Sequence, residues 1–96
     1  MSRKNKTFLN SSEWLRLANE GAVSLARIVA VGQVEAAPIR RLIQAVQPSH
    51  VLILTGGRKR QTVLILDSGH LVITALTMTE VLAEITAHQD KLLFIE

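Results

Sequence analysis

Two short runs, Val51-Leu52-Ile53-Leu54 and Val63-Leu64-Ile65-Leu66, are apolar at every position. A strand sends successive side chains to opposite faces, so a run without alternation demands burial on both sides. Each run is too short for a buried helix and is rich in β-branched residues, and Gly56-Gly57 separates them. The local pattern predicts a strand His50–Thr55, a turn Gly56-Gly57-Arg58-Lys59-Arg60 and a strand Gln61–Leu66, forming a β-hairpin with a basic tip.

The remaining elements can be read around this pair. Trp14–Ala18 reads as a strand, Asn19-Glu20-Gly21 as a turn, and Ala22–Val34 as one second strand pairing back on the first. Pro38 suits the first turn of a helix, where its missing N–H has no intrahelical partner, and Ile39, Leu42, Ile43 and Val46 form one apolar stripe. Arg40, Arg41, Gln44 and Gln47 fall elsewhere on that helix, and Pro48 ends it. Asp67-Ser68-Gly69 makes a turn before a strand His70–Leu76. Thr77 and Glu80 then have capping-box spacing ahead of a second helix with Met78, Val81, Leu82 and Ile85 on one face.

These elements predict an α+β fold, a small mixed sheet of hairpins with two helices. The chain divides into a basic arm over 1–13 and a single domain over 14–96. Two short helices can cover one face of a small sheet, which leaves the other for a second copy of the chain. The terminal Leu92-Leu93-Phe94-Ile95, β-prone and apolar, adds to the expectation of self-association. The alternative is an arm or tail folded back over the open face.

Charge and chemistry narrow the function. Net charge is only +3, but Ala36–Leu66 holds five basic residues and no acid, while Asp67–Glu96 holds five acids against Lys91 alone. One basic surface on a mixed protein suits a polyanion such as nucleic acid. Cysteine is absent, so disulfides, thiolate nucleophiles and cysteine zinc sites are excluded. No apolar run approaches the roughly 20 residues of a membrane span, and Asn10-Ser11-Ser12-Glu13 stands where a signal peptide needs an apolar core. A soluble, cytoplasmic protein with no membrane partner is expected.

The glycine-flanked Arg58-Lys59-Arg60 lacks the spacing of a P-loop, so nucleotide hydrolysis has no support. His50, His70 and His88 lack the pairing that helical metal sites use. Asp67, Ser68 and His70 crowd one turn, whereas a catalytic triad needs each group to reach and orient the next. No enzyme activity, metal or cofactor is expected. The basic tip is either a phosphate-binding surface or a solvated turn whose charges prevent edge aggregation.

Several blocks in register over Val23–Val81 resemble the RemA family, bacterial extracellular-matrix regulators. They are Val23-Ser24 with Arg27-Ile28-Val29, Ala37-Pro38-Ile39-Arg40-Arg41-Leu42-Ile43-Gln44, Gly57-Arg58-Lys59, and Asp67-Ser68-Gly69-His70-Leu71-Val72-Ile73. The resemblance implies a ring-shaped homo-oligomer, an octamer among the candidates, which binds double-stranded promoter DNA on its basic outer surface and regulates transcription. That implies association with the nucleoid and a role in biofilm matrix regulation. It assigns DNA contacts to Arg27, in the second strand, and to Arg58 and Lys59, and the adjacent Arg60 is expected to act in support. Three positions depart from the family pattern: Gly56 replaces an aromatic residue, Lys59 an arginine, and Arg60 stands one position before the usual basic residue. Lysine keeps the charge but loses the bidentate fork. A protein that keeps the ring but no longer binds DNA is the competing expectation.

Overall fold

The computed structural model describes residues 13–93; most of the expected arm, 1–12, and Phe94-Ile95 of the apolar end lie outside the described residues. Strands β1 (Trp14–Arg16) and β2 (Ala22–Ser24) form an antiparallel ribbon in which Leu15 faces Val23. The ribbon turns through Ala18, at φ 57°, and is closed by the Leu17 N–H donating to the Gly21 carbonyl at 2.8 Å. A 3₁₀ turn at Leu25–Arg27 leads into β3 (Ile28–Gln33), α1 (Ala37–Ala45), β4 (Val51–Leu54), β5 (Thr62–Leu66), β6 (Leu71–Thr74) and α2 (Met78–Leu93). Strands β3 to β6 make one four-stranded sheet in the order β3-β5-β6-β4. The α+β class with two helices stands.

The expected β4–β5 hairpin does not form. Strand β4 pairs in parallel with β6, from Val51 opposite Leu71 to Leu54 opposite Thr74, and β6 lies between the two apolar runs. The reason lies in the Asp67-Ser68-Gly69 turn, where Gly69 adopts φ 90° and the Leu66 N–H donates to the His70 carbonyl at 3.0 Å. That tight turn makes β6 the local antiparallel partner of β5, and β3 takes β5's other edge. With both edges of β5 taken, β4 joins the free edge of β6, so the segment 55–61 crosses over the end of β6 instead of capping a hairpin.

The expected single strand Ala22–Val34 is also broken in two. Its first part belongs to the ribbon and its second to the sheet, and the 3₁₀ turn redirects the chain from one layer to the other. Arg27 therefore sits in a turn, not in a strand.

Both faces of β5 and β6 are buried, as their composition requires, but the cover comes from within the chain. Val63, Leu71 and Ile73 pack under the α1 stripe of Ile39, Leu42, Ile43 and Val46. Leu64 and Val72 pack under the ribbon residues Leu15, Leu17 and Val23 and under Val81 of α2. The helices thus lie on opposite faces, and the expectation that they share one face, leaving the other to a second copy, is overturned. Gly32 lets α1 approach, since a Cβ there would stand 2.6 Å from Ile39 Cδ1. The expected two-sided burial of Val51–Leu54 is not met: on edge strand β4 Leu52 is 51% and Ile53 47% exposed, and Trp14, Val29 and Leu82 are exposed as well. At the other end Leu92 and Leu93 continue α2 and form no strand.

The capping box of α2 is formed as spaced: the Thr77 N–H donates to Glu80 Oε1 at 2.8 Å and the Glu80 N–H to Thr77 Oγ1 at 3.1 Å. Leu64, fully buried between ribbon and sheet, is the sharper test of the two-sided core. Leu64→Ala is expected to cost about 2–5 kcal/mol in urea unfolding, and Thr77→Ala about 1 kcal/mol.

Candidate nucleic-acid interface

The basic residues Arg58, Lys59 and Arg60 sit on the connection between β4 and β5, at the end of the sheet where β6 stops. The base of this loop is fixed by backbone bonds: the Gln61 N–H donates to the Thr74 carbonyl at 2.9 Å, and the Val34 N–H to the Gln61 carbonyl at 3.0 Å. Gly56 and Gly57, at φ 62° and 83°, make the corner that non-glycine residues rarely adopt. Arg58 closes that corner, its backbone N–H and its side-chain Nε–H both donating to the Thr55 carbonyl, at 3.1 and 3.2 Å. Lys59 and Arg60 are exposed, and among the described residues no carboxylate forms a salt bridge with either. Both border a depression with Gln33, Glu35 and Thr77, and Arg60 also borders an apolar groove beside α1 with Gln44 and Ile53.

Two of the four sequence-assigned cations already have partners. Arg58 Nη2 donates to Glu20 Oε1 at 2.9 Å, and Arg27 Nη1 stands 3.4 Å from Asp67 Oδ2. Neither partner was foreseen: Glu20 and Asp67 read as turn residues, and they meet arginines 38 and 40 positions away in sequence. No local pattern carries such a signal.

Arg27 and the loop are not brought together within one chain. The Arg27 carbonyl accepts the Asp67 N–H at 2.8 Å, which places Arg27 beside the last residues of β5, whereas Arg58-Lys59-Arg60 precede its first. The six residue steps from Gln61 to Asp67 amount to about 20 Å of strand. The assigned cations thus occupy opposite ends of the sheet.

Near Arg27, the turn residues keep the roles expected of turn chemistry. Ser68 Oγ lies 2.7 Å from His70 Nδ1, but Asp67 is engaged with Arg27, and the His70 ring packs edge-on against His50 with centroids 4.7 Å apart. His88 pairs with Glu13 at 2.7 Å, and the Glu13 carbonyl accepts the Leu25 N–H at 3.1 Å. Among the described residues no three His, Cys, Asp or Glu side chains converge on a possible metal position, and no helix is long and apolar enough to cross a membrane.

The family model for RemA-like proteins, "extracellular matrix regulatory protein A-like", matches residues 15–85, from the ribbon into the first half of α2. This chain belongs to the RemA-like family. It is 35% identical over 80 residues to a protein of Halalkalibacterium halodurans, covering 79% of this chain and 92% of that one. It is 40% identical over 75 residues to a protein of Dictyoglomus thermophilum, covering 74% and 88% of the two chains. Identity to a protein of Symbiobacterium thermophilum is 39% over 82 residues, covering 81% and 86%. All three carry the name "putative regulatory protein".

In this RemA-like chain Gly56 has a structural reason. Its φ is positive, and a Cβ there would run into the Glu20 carboxylate that holds Arg58. Gly56→Ala is expected to destabilise the fold by about 1–2 kcal/mol in thermal or urea unfolding. Asp67→Asn and Glu20→Gln are expected to change stability by less than about 1 kcal/mol, because the arginine of each pair is solvent-exposed.

Proposed function

We propose that this RemA-like chain is a homo-oligomeric transcriptional regulator that binds double-stranded DNA through phosphate contacts, with Lys59, Arg60 and Arg58 on one loop and Arg27 at the far end of the sheet. A regulatory rather than catalytic role rests on the family and on the names of its relatives. The observation that carries the DNA reading is the exposed loop on which Lys59 and Arg60 have no salt-bridge partner among the described residues. Exposed cations on a loop engage phosphate oxygens without reading bases, so backbone and shape recognition dominate. Helix α1 commits its apolar stripe to the sheet and is read as a packed scaffold rather than a recognition helix.

Self-association has a different basis from the one the sequence offered. The apolar edge strand β4, with Leu52 and Ile53 exposed, and Val29 on the opposite edge strand β3, at 63% exposure, are surfaces a second copy could cover. A ring would also set the loop of one copy beside Arg27 of the next, which a single chain does not do. DNA binding of this kind would carry the protein to the nucleoid.

The reading of an assembly protein that no longer binds DNA is favoured by one observation: Arg27 and Arg58 both face carboxylates. Mobility shifts on promoter and random duplexes at two salt concentrations separate the readings. Binding to both, with log affinity falling with log salt by about 0.9 per phosphate engaged, is expected. Arg58→Ala and Arg27→Ala should each weaken binding to either duplex and flatten the salt slope, while Lys59→Arg preserves or strengthens it. Sedimentation should show the oligomer intact in all three variants. Absence of any shift at low salt would leave the assembly reading standing, and a monomer at working concentrations would remove both.

A further inference from the structure

Resting on the DNA-binding reading, we propose that Glu20 is an internal surrogate for phosphate that holds Arg58 in reserve, so that polyanion binding proceeds by exchange of the Glu20 carboxylate for a phosphate.

The geometry is specific. A guanidinium offers phosphate or carboxylate its two-pronged edges, and that fork gives arginine its advantage over lysine. In Arg58 the edge formed by Nε and Nη2 is taken by acceptors of the protein itself, the Thr55 carbonyl at 3.2 Å and Glu20 Oε1 at 2.9 Å. The side chain is nevertheless 56% exposed, so the pair is open to competition by an incoming anion, while Glu20 is more enclosed, at 24%. Glu20 reaches this position from the turn of the β1–β2 ribbon, which is seated against the corner of the loop: a Cβ on Gly21 would stand 3.2 Å from Leu54 Cδ1. The absence of a side chain at Gly56 is what admits the carboxylate.

Two consequences follow. In the free protein the loop presents the charges of Lys59 and Arg60, with that of Arg58 offset by Glu20. A phosphate that displaces Glu20 gains a pre-positioned guanidinium, since the Thr55 carbonyl still holds Nε, but it must first overcome the internal pair. An exposed pair of this kind is worth a small factor in affinity, and a ring of copies would multiply it.

The test compares wild type, Glu20→Gln and Glu84→Gln on a random duplex across a salt series. Glu84→Gln removes the same charge from the exposed face of α2 and controls for net charge. Glu20→Gln is expected to bind about two- to fivefold more tightly per site engaged, with the salt slope little changed, because Arg58 neutralises a phosphate in both proteins and only the cost of displacing Glu20 is removed. Glu84→Gln should stay at the wild-type value. Glu20→Asp, which keeps the charge but is one methylene shorter, should fall between wild type and Glu20→Gln. Equal binding by wild type and Glu20→Gln, weaker binding by Glu20→Gln, or an equal gain in Glu84→Gln would each overturn the exchange while leaving DNA binding in place. No shift by wild type or any variant would remove the DNA reading and this inference together.

Discussion

The burial of β5 and β6 on both faces is the constraint from which the rest of this structure follows. Val63, Leu64, Leu71, Val72 and Ile73 are essentially inaccessible to solvent, and alternate members of this set point to opposite sides of the sheet. A chain of this length can meet that demand only by placing a layer on each face. One layer is α1, brought tight by Gly32, and the other is the β1–β2 ribbon with α2. Each layer leaves a trace at the ends of the sheet, where the candidate site lies.

The ribbon is the clearest case. Its apolar residues Leu15, Leu17 and Val23 serve the core, and the same packing delivers its turn to the corner of the basic loop. Glu20 thus meets Arg58 as a by-product of core assembly. At the opposite end, the turn that pairs β5 with β6 carries Asp67 to Arg27. Both arginines are oriented by acids that the packing of apolar residues puts in place, and the two lysine and arginine neighbours on the loop, Lys59 and Arg60, escape this pairing among the described residues.

The edges of the sheet carry the complementary message. The central strands are saturated within the chain, while β4 at the border leaves Leu52 and Ile53 in solvent. An apolar edge is an invitation to pair that monomeric proteins usually blunt with charge or proline. Here it survives, on a chain whose two cationic positions are about 20 Å of strand apart.

Local chemistry was legible in the sequence. The apolar run at 63–66, the amphipathic stripe of α1, the capping box of Thr77 and Glu80 and the tight turn at Gly69 all follow from residue types at short spacing, and the blocks from Val23 to Val81 carried the family, whereas the run at 51–54 is an edge strand with Leu52 and Ile53 exposed. The exposed cluster Arg58-Lys59-Arg60 was legible for the same reason, since it is contiguous. Strand order was not, because the runs at 51–54 and 63–66 satisfy a hairpin and a parallel arrangement with β6 equally well by composition. Only the competition for the two edges of β5, settled by the tight turn and by β3, decided it. Nor could the sequence place Arg27 away from the loop or supply the partners of Arg27 and Arg58, because those relations join residues some forty positions apart and exist only once the layers are stacked.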